Sequence, residues 1–271
     1  MNVRLGATVG LAAASVISAT GCGESASDAA PPAEATEPGA TDAREEAAPA
    51  QQPPGAPVVE EEARLGFFEP LERTIHERVL PAVSEIPAER QTELSRLAAF
   101  LGERLDAGEP ARVTFICTHN SRRSHMAQLW AATAAAYYGL DGVQTFSGGT
   151  EATAFNPRAV AALGRAGFAF DDPGGDNPHY RVRMGPTAEP MECFSKVFGH
   201  ETNPQEGFAA VMTCAQADRS CPFVPGADLR VGLPYVDPKE ADGTPEEART
   251  YDERSLQIAS EMFYLMSRVR E

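Results

Sequence analysis

Apolar and polar positions change rhythm several times along this chain. Residues 69–107 place Leu71, Ile75, Val79, Leu80 and Val83, then Leu94, Leu97, Leu101 and Leu105, at the spacing of helix faces. Pro81 and Pro87 interrupt that pattern, and proline removes a backbone donor and crowds the preceding turn, so two helices are expected. Val113–Ile116 then reads as a strand, followed by a polar loop and a helical stretch from Met126 to Tyr138. A strand from Val143 to Ser147 and a helix from Pro157 to Gly167 follow, with Pro157 suited to a first helical turn. Residues 208–213, Phe-Ala-Ala-Val-Met-Thr, form an unbroken apolar run, as in a parallel strand buried on both faces. Leu229–Tyr235 offers another strand, and Glu246–Arg270 a long amphipathic helix. Strands alternating with helices predict an α/β fold, a four-stranded parallel sheet with helices on both faces. His179–Met184 and Met191–Phe198 read as an inserted β-hairpin turning at Gly185-Pro186, with Arg181 and Arg183 on a wet face.

The first sixty-two residues follow none of these rhythms. Arg4 precedes an apolar stretch, Leu5–Ala19, which is too short for a comfortable membrane span. Small residues then lead to Cys22, the pattern of a secretory signal. Ala19-Thr20-Gly21-Cys22 resembles the lipobox of bacterial lipoproteins, with Ala19 where Leu is usual. That resemblance implies lipidation of Cys22 and attachment to a membrane through the lipid. The protein would then lie in the cell envelope, on a periplasmic or extracytoplasmic face. Residues 23–62 are Ala, Pro, Glu, Gly, Ser and Thr with no aromatic, so they cannot bury enough surface to offset ordering entropy. The expected organisation is therefore a signal over 1–22, an acidic disordered linker over 23–62, a helical prefix over 63–111 and an α/β domain over 112–271.

Charge sharpens this division. The 271 residues hold 23 Lys+Arg against 39 Asp+Glu, a net −16. The linker carries ten acids and a single Arg, so it holds over half of the imbalance. No broad cationic surface is available to neutralise nucleic-acid phosphates, and nucleic acid is excluded as a general partner.

The densest chemistry lies between the first strand and its helix. Cys117 is followed, after five residues, by Arg123, in the run Cys-Thr-His-Asn-Ser-Arg-Arg-Ser. A loop entering a helix N-terminus can turn successive backbone N–H groups inward, and such a nest binds a tetrahedral oxyanion. Residues 118–124 (Thr118, His119, Asn120, Ser121, Arg122, Arg123 and Ser124) are the candidate oxyanion-binding set. Arg123 can bind two oxygens through its planar fork. The same field is expected to favour the Cys117 thiolate, a good nucleophile. Ser124 can hydrogen-bond that sulfur, and Asn120 tolerates a left-handed backbone.

The block Phe115–Trp130 resembles the phosphate loop of low-molecular-weight protein tyrosine phosphatases and of their relatives, the thioredoxin-coupled arsenate reductases. The similarity extends through Ser147-Gly148-Gly149-Thr150, Asn156-Pro157-Arg158, Val211–Cys214 and Asp237-Pro238. His119 stands where those families usually have Gly, and Arg122 where they usually have Cys. The resemblance implies a phosphate loop after the first strand and Asp237 as the acid that protonates a leaving oxygen.

Cys214 and Cys221 bring the chain closer to the arsenate reductases, because a phosphatase of this fold needs no further thiols. Their spacing and the trailing Pro222 resemble that family's relay cysteines. On a helix the two residues would stand roughly 10 Å apart along the axis, whereas a disulfide spans Cα atoms no more than about 7 Å apart. Their oxidation would therefore require the segment to unwind. The implied partners are arsenate or a phosphate ester as substrate and a thioredoxin-like protein or small thiol as reductant. No cofactor is implied, and no Cys or His pair has metal-ligand spacing. Cys193, in the hairpin, reads as a packed core cysteine. The alternatives are a protein tyrosine phosphatase acting through a Cys117 phosphocysteine and a non-catalytic envelope sensor of oxyanions or redox state.

Overall fold

The computed structural model describes residues 66–221 and 223–271. The expectations for Cys22, for the 1–22 signal and for the 23–62 linker lie outside the described residues. No helix among the described residues is long and apolar enough to cross a membrane.

Four strands form a parallel sheet: β1 (Ala111–Cys117), β2 (Val143–Gly149), β6 (Phe208–Met212) and β7 (Ala227–Gly232), in the order β2-β1-β6-β7. The α/β expectation holds, with α4 (Arg123–Tyr137) and α5 (Pro157–Ala166) after β1 and β2, α6 (Ala215–Ser220) between β6 and β7, and α7 (Glu247–Ser267) last. The central strands alternate between two cores. Val113, Phe115, Ala209, Val211 and Val231 face a large cluster that includes residues of α4, α5 and α7. Ile116, Ala210 and Met212 face a small cluster completed by Cys117, Cys214, Ala217 and Val224. Because β1 and β6 are neighbours, their C-terminal ends bring the two cysteines together: the Thr213 N–H donates to the Ile116 carbonyl at 2.7 Å.

The helical prefix packs on the large cluster. It consists of α1 (Glu69–Thr74), a π turn (Ile75–Val79), the short α2 (Leu80–Ala82), a 3₁₀ turn (Val83–Glu85) and α3 (Ala88–Asp106). Pro81 does not end the first helix. The preceding turn widens to the π form, with the Leu80 N–H reaching the Ile75 carbonyl, and this accommodates the donor that proline lacks. The break falls at Pro87, whose extended backbone caps α3.

The hairpin is larger than the alternation implied. β4 (Tyr180–Arg183) pairs antiparallel with both β3 (Ala169–Asp171) and β5 (Met191–Cys193), giving a second, three-stranded sheet. Its last strand stops at Cys193 rather than running to Phe198. The backbone beyond it is engaged elsewhere: Ser195 N–H donates to Asn177, Lys196 N–H to Asn120, and Phe198 N–H to the Gly149 carbonyl.

Candidate active site

Cys117 closes β1 and is 3% exposed, and Arg123 opens α4. Among the described residues, the backbone N–H groups of residues 118–122 donate to no acceptor in the fold. Five free donors in a loop ahead of a helix N-terminus constitute an anion nest. The Cys117 Sγ lies 3.1 Å from Ser124 Oγ. Asn120 has φ 45, making it the one non-glycine in the left-handed region among the described residues. Its amide fixes the turn twice, donating to Ser124 Oγ at 2.9 Å and accepting from the Lys196 N–H at 2.9 Å. His119 is accommodated without strain because the left-handed residue is its neighbour. Its ring points outward, 3.7 Å from Glu151, while its carbonyl accepts from Ser195 Oγ at 2.9 Å. Ser121 Oγ donates to the Ala154 carbonyl, and its own carbonyl accepts from the Asn156 N–H.

The two arginines bond different neighbours, although Arg122 Nε also lies 4.0 Å from Asp237 Oδ1. Arg123 is 12% exposed, donating to Asp237 Oδ2 at 2.6 Å and to the Tyr235 carbonyl at 2.9 Å. Asp237 is thereby held at the loop, its other oxygen accepting from the Lys239 N–H of the 3₁₀ turn Pro238–Ala241. Arg122 turns toward α7, donating to Tyr251 Oη at 2.8 Å and to Asp242 at 3.5 Å. Burial and the bond to Asp242 push the Tyr251 phenol up to about 12, so it remains protonated beside that guanidinium.

The remaining thiols surround the loop unequally. Cys214 is 1% exposed, with Sγ 3.4 Å from Thr118 Oγ1, the residue after Cys117. It also caps α6, accepting from the Ala217 N–H at 3.3 Å. Cys221 closes the same helix at its far end and is partly exposed. Both thiols are free. Cys193 is fully buried away from this line, and burial pushes its thiol up to about 12. Among the described residues, no group of three or more His, Cys, Asp and Glu is placed to hold a metal ion.

Several supporting groups escaped the sequence reading. Tyr235 acts through its carbonyl, and Lys196 through its N–H, and a side-chain pattern reveals neither. Gly149 carried a signal: it lies in the Ser-Gly-Gly run and must be glycine. A Cβ there would lie 2.2 Å from the Glu151 carbonyl and 2.7 Å from the Asn120 nitrogen. His125, two residues after Arg123, is wholly buried, bonded to Ser147 at 3.2 Å and stacked on Phe155.

Known proteins are similar to this chain at the level of the family. The family model described as low molecular weight phosphotyrosine protein phosphatase matches residues 112–174. An arsenate reductase of Halalkalibacterium halodurans is 30% identical over 135 residues, covering 50% of this chain and 79% of that protein. An arsenate reductase of Bacillus subtilis is 29% identical over 142 residues, covering 52% and 84%. Among solved structures, a low molecular weight protein tyrosine phosphatase from T. tengcongensis aligns with TM-score 0.40 and 18% identity, covering 58% of this chain and 98% of that one. With its phosphate loop in the family position and a 30% identical relative aligned over most of its length, the chain belongs to the superfamily of low-molecular-weight phosphotyrosine phosphatases and arsenate reductases, and is an enzyme of that fold.

Proposed function

We propose that this enzyme reduces arsenate to arsenite by passing a disulfide outward through Cys117, Cys214 and Cys221. The observation that carries the reading is the line of thiols: Cys214 Sγ touches the phosphate loop at Thr118, and Cys221 lies at the other end of the same six-residue helix. Arsenate sits on the free N–H groups of residues 118–122, with Arg123 on two of its oxygens. The Cys117 sulfur attacks arsenic, and Asp237, which takes a proton from solvent as Arg123 turns from it onto the oxyanion, gives that proton to the departing oxygen, which leaves as water. Cys214 then attacks the Cys117 sulfur. The S–As bond breaks with its electron pair going to arsenic, releasing arsenite and leaving a Cys117–Cys214 disulfide. Cys221 attacks Cys214, frees Cys117, and leaves a Cys214–Cys221 disulfide. A thioredoxin-like protein or a small dithiol reduces that bond and restores both thiols. Two thiols are oxidised for each arsenate reduced.

Steady-state arsenate reduction by Cys214→Ser and Cys221→Ser, with a small dithiol as donor, tests the relay. Both variants should lose turnover by at least ~10³-fold relative to wild type, as expected when members of one catalytic unit are removed. Turnover by both at the wild-type rate would remove the relay. Phosphomonoester hydrolysis is the second reading, because Cys117 is bonded to Ser124 of the loop and Arg123 to Asp237, and neither bond involves the other thiols. On that reading both variants keep aryl phosphate hydrolysis, whereas Cys117→Ser loses it.

We place the enzyme, on the signal sequence and Cys22, at the cell envelope as a lipid-anchored protein. Mass spectrometry of the mature N-terminus tests this, a diacylated Cys22 being the expected species.

A further inference from the structure

We infer that the helical prefix is a working part of the active site: Arg90 on α3, through Glu261 and Tyr235, fixes the 234–237 segment so that Asp237 meets Arg123. The inference rests on Asp237 being the proton donor proposed above. Arg90 grips Glu261 of α7 with two bonds, Nε to Oε1 and Nη2 to Oε2, both at 2.6 Å. This is the fork geometry in which arginine is most specific. Glu261 is 2% exposed, and its second oxygen also accepts from Tyr235 Oη at 2.7 Å. The Arg90 guanidinium lies over the Tyr235 ring, 4.8 Å from its centroid, and Nη1 donates to the Pro234 carbonyl at 3.3 Å. Both faces of the segment are thus occupied: Arg90 and Glu261 hold its ring and one carbonyl, and Arg123 takes the next carbonyl and the Asp237 carboxylate.

The direction of control follows from burial. Tyr235 is 4% exposed, and Glu261 needs a buried counter-charge, which Arg90 supplies by ion pair. Gln257 also donates to Glu261 Oε1, at 3.3 Å, but is neutral. The guanidinium bonded to the Glu261 carboxylate therefore comes from the prefix, while Arg254 of α7 adds a second positive charge near that carboxylate without bonding it. Among the described residues, the polar contacts of Arg90 are to Glu261, Pro234 and the Tyr235 ring, and none is to the phosphate loop. It is a positioning residue, and its effect on the reaction must pass through the 234–237 segment.

Arg90→Met alone would leave Glu261 buried and uncompensated, and could cost the fold. The test therefore uses Arg90→Met with Glu261→Gln, which removes both charges and keeps an acceptor for Tyr235 Oη. Tyr235→Phe, which deletes only the hydroxyl, is the second variant. Asp237→Asn and the triple variant Arg90→Met/Glu261→Gln/Asp237→Asn complete a cycle. The readout is kcat for arsenate with a small dithiol, alongside Kd for inorganic phosphate and melting temperature. Asp237→Asn should lower kcat by about 10²-fold or more, the usual contribution of a positioned acid. The double variant should lower kcat about tenfold with phosphate Kd changed less than about threefold, and Tyr235→Phe should lower kcat by a smaller factor. In the Asp237→Asn background the double variant should cost nothing further, since its route to the chemistry has been removed. An equal loss in both backgrounds would overturn the inference, as would double-variant and Tyr235→Phe rates within twofold of wild type. If Asp237→Asn itself is unchanged, the acid assignment falls first and the inference with it, and that arm distinguishes the two failures.

Discussion

The phosphate loop and the helix that bears Cys214 lie side by side on β1 and β6, yet they are held in opposite ways. Each residue from Thr118 to Arg123 has a partner outside the loop: Glu151 and Cys214 for Thr118, Ser195 for His119, Lys196 for Asn120, Ala154 for Ser121, Tyr251 for Arg122 and Asp237 for Arg123. α6 has six residues and covers the small core through Ala217. Beyond the Thr118 contact, its polar ties among the described residues run to one side chain, Arg230, which donates to the Asp218 carbonyl, the Asp218 carboxylate and the Cys221 carbonyl. The nucleophile's loop is over-determined. Among the described residues, the Cys214–Cys221 segment is held by Arg230, by the Thr118 contact and by the burial of Cys214 and Ala217. A preorganised oxyanion site needs the first, and two thiols about one short helix apart need the second.

Loosening the braced side should have the largest effect. Asn120→Ala removes the bonds to Ser124 and Lys196 and places a Cβ residue without a compensating amide at φ 45. Leaving the Lys196 N–H unpaired should cost ~2 kcal/mol of stability. The nest should lose its geometry, and kcat/KM should fall about 10²-fold, the scale of an ångström misplacement in a reacting group. Thermal unfolding and steady-state kinetics check the two numbers. Stability lost without rate would mean that the loop recovers its shape once the oxyanion binds.

Loosening the other side should raise a rate. Arg230→Ala removes all three ties, and its partners on α6 can turn to water, so stability should fall by ~1–2 kcal/mol. Since 1.4 kcal/mol is a factor of ten, formation of the Cys214–Cys221 disulfide under a mild oxidant should accelerate about five- to thirtyfold. Hydrogen exchange should show the same asymmetry in the wild type. The Asp218 and Cys221 amides, bonded within α6, should exchange at least ~100 times faster than those of the buried turns of α4. Equal protection in the two helices would erase the contrast.

What the sequence revealed divides along the same line. The braced side was legible in its parts: Cys117, Asn120, Arg123 and Ser124 are side chains whose chemistry announces itself, and the strand–loop–helix rhythm placed them. Cys214 and Cys221 were legible too, as two thiols that a helix between them would hold apart, and α6 lies between them. The supports were not. Tyr235 meets Arg123 through its carbonyl and Lys196 meets Asn120 through its N–H, so their side chains gave no sign of either contact. The end of β5 at Cys193 was misplaced for a related reason, since residues 194–198 keep an apolar look while their backbone is taken by Asn120 and Gly149. Arg90 was hidden differently. Its partner Glu261 lies 171 residues away, beyond the reach of any local pattern.

The smallest effect concerns the floor under the loop. His125 sits on the first turn of α4, wholly buried between Ser147 and Phe155. Burial holds its pKa well below the ordinary 6.5, and the nearby Lys196 ammonium lowers it further. In the unfolded chain the ring titrates near its ordinary value, so below about pH 6.5 that state binds a proton the native state refuses. The contribution of neutral His125 is therefore complete above that pH and is lost progressively as pH falls. One proton sets a ceiling of about 1.4 kcal/mol per pH unit on the slope. Denaturant melts between pH 7.5 and 5 should show this loss, and His125→Gln, which keeps a polar contact to Ser147 but cannot titrate, should flatten the profile over that interval. A wild-type profile already flat there would mean that His125 takes up its proton in place. The floor beneath the loop would then tolerate a charge, and the contrast between the braced loop and the loosely held Cys214–Cys221 segment would rest on Asn120 and its partners alone.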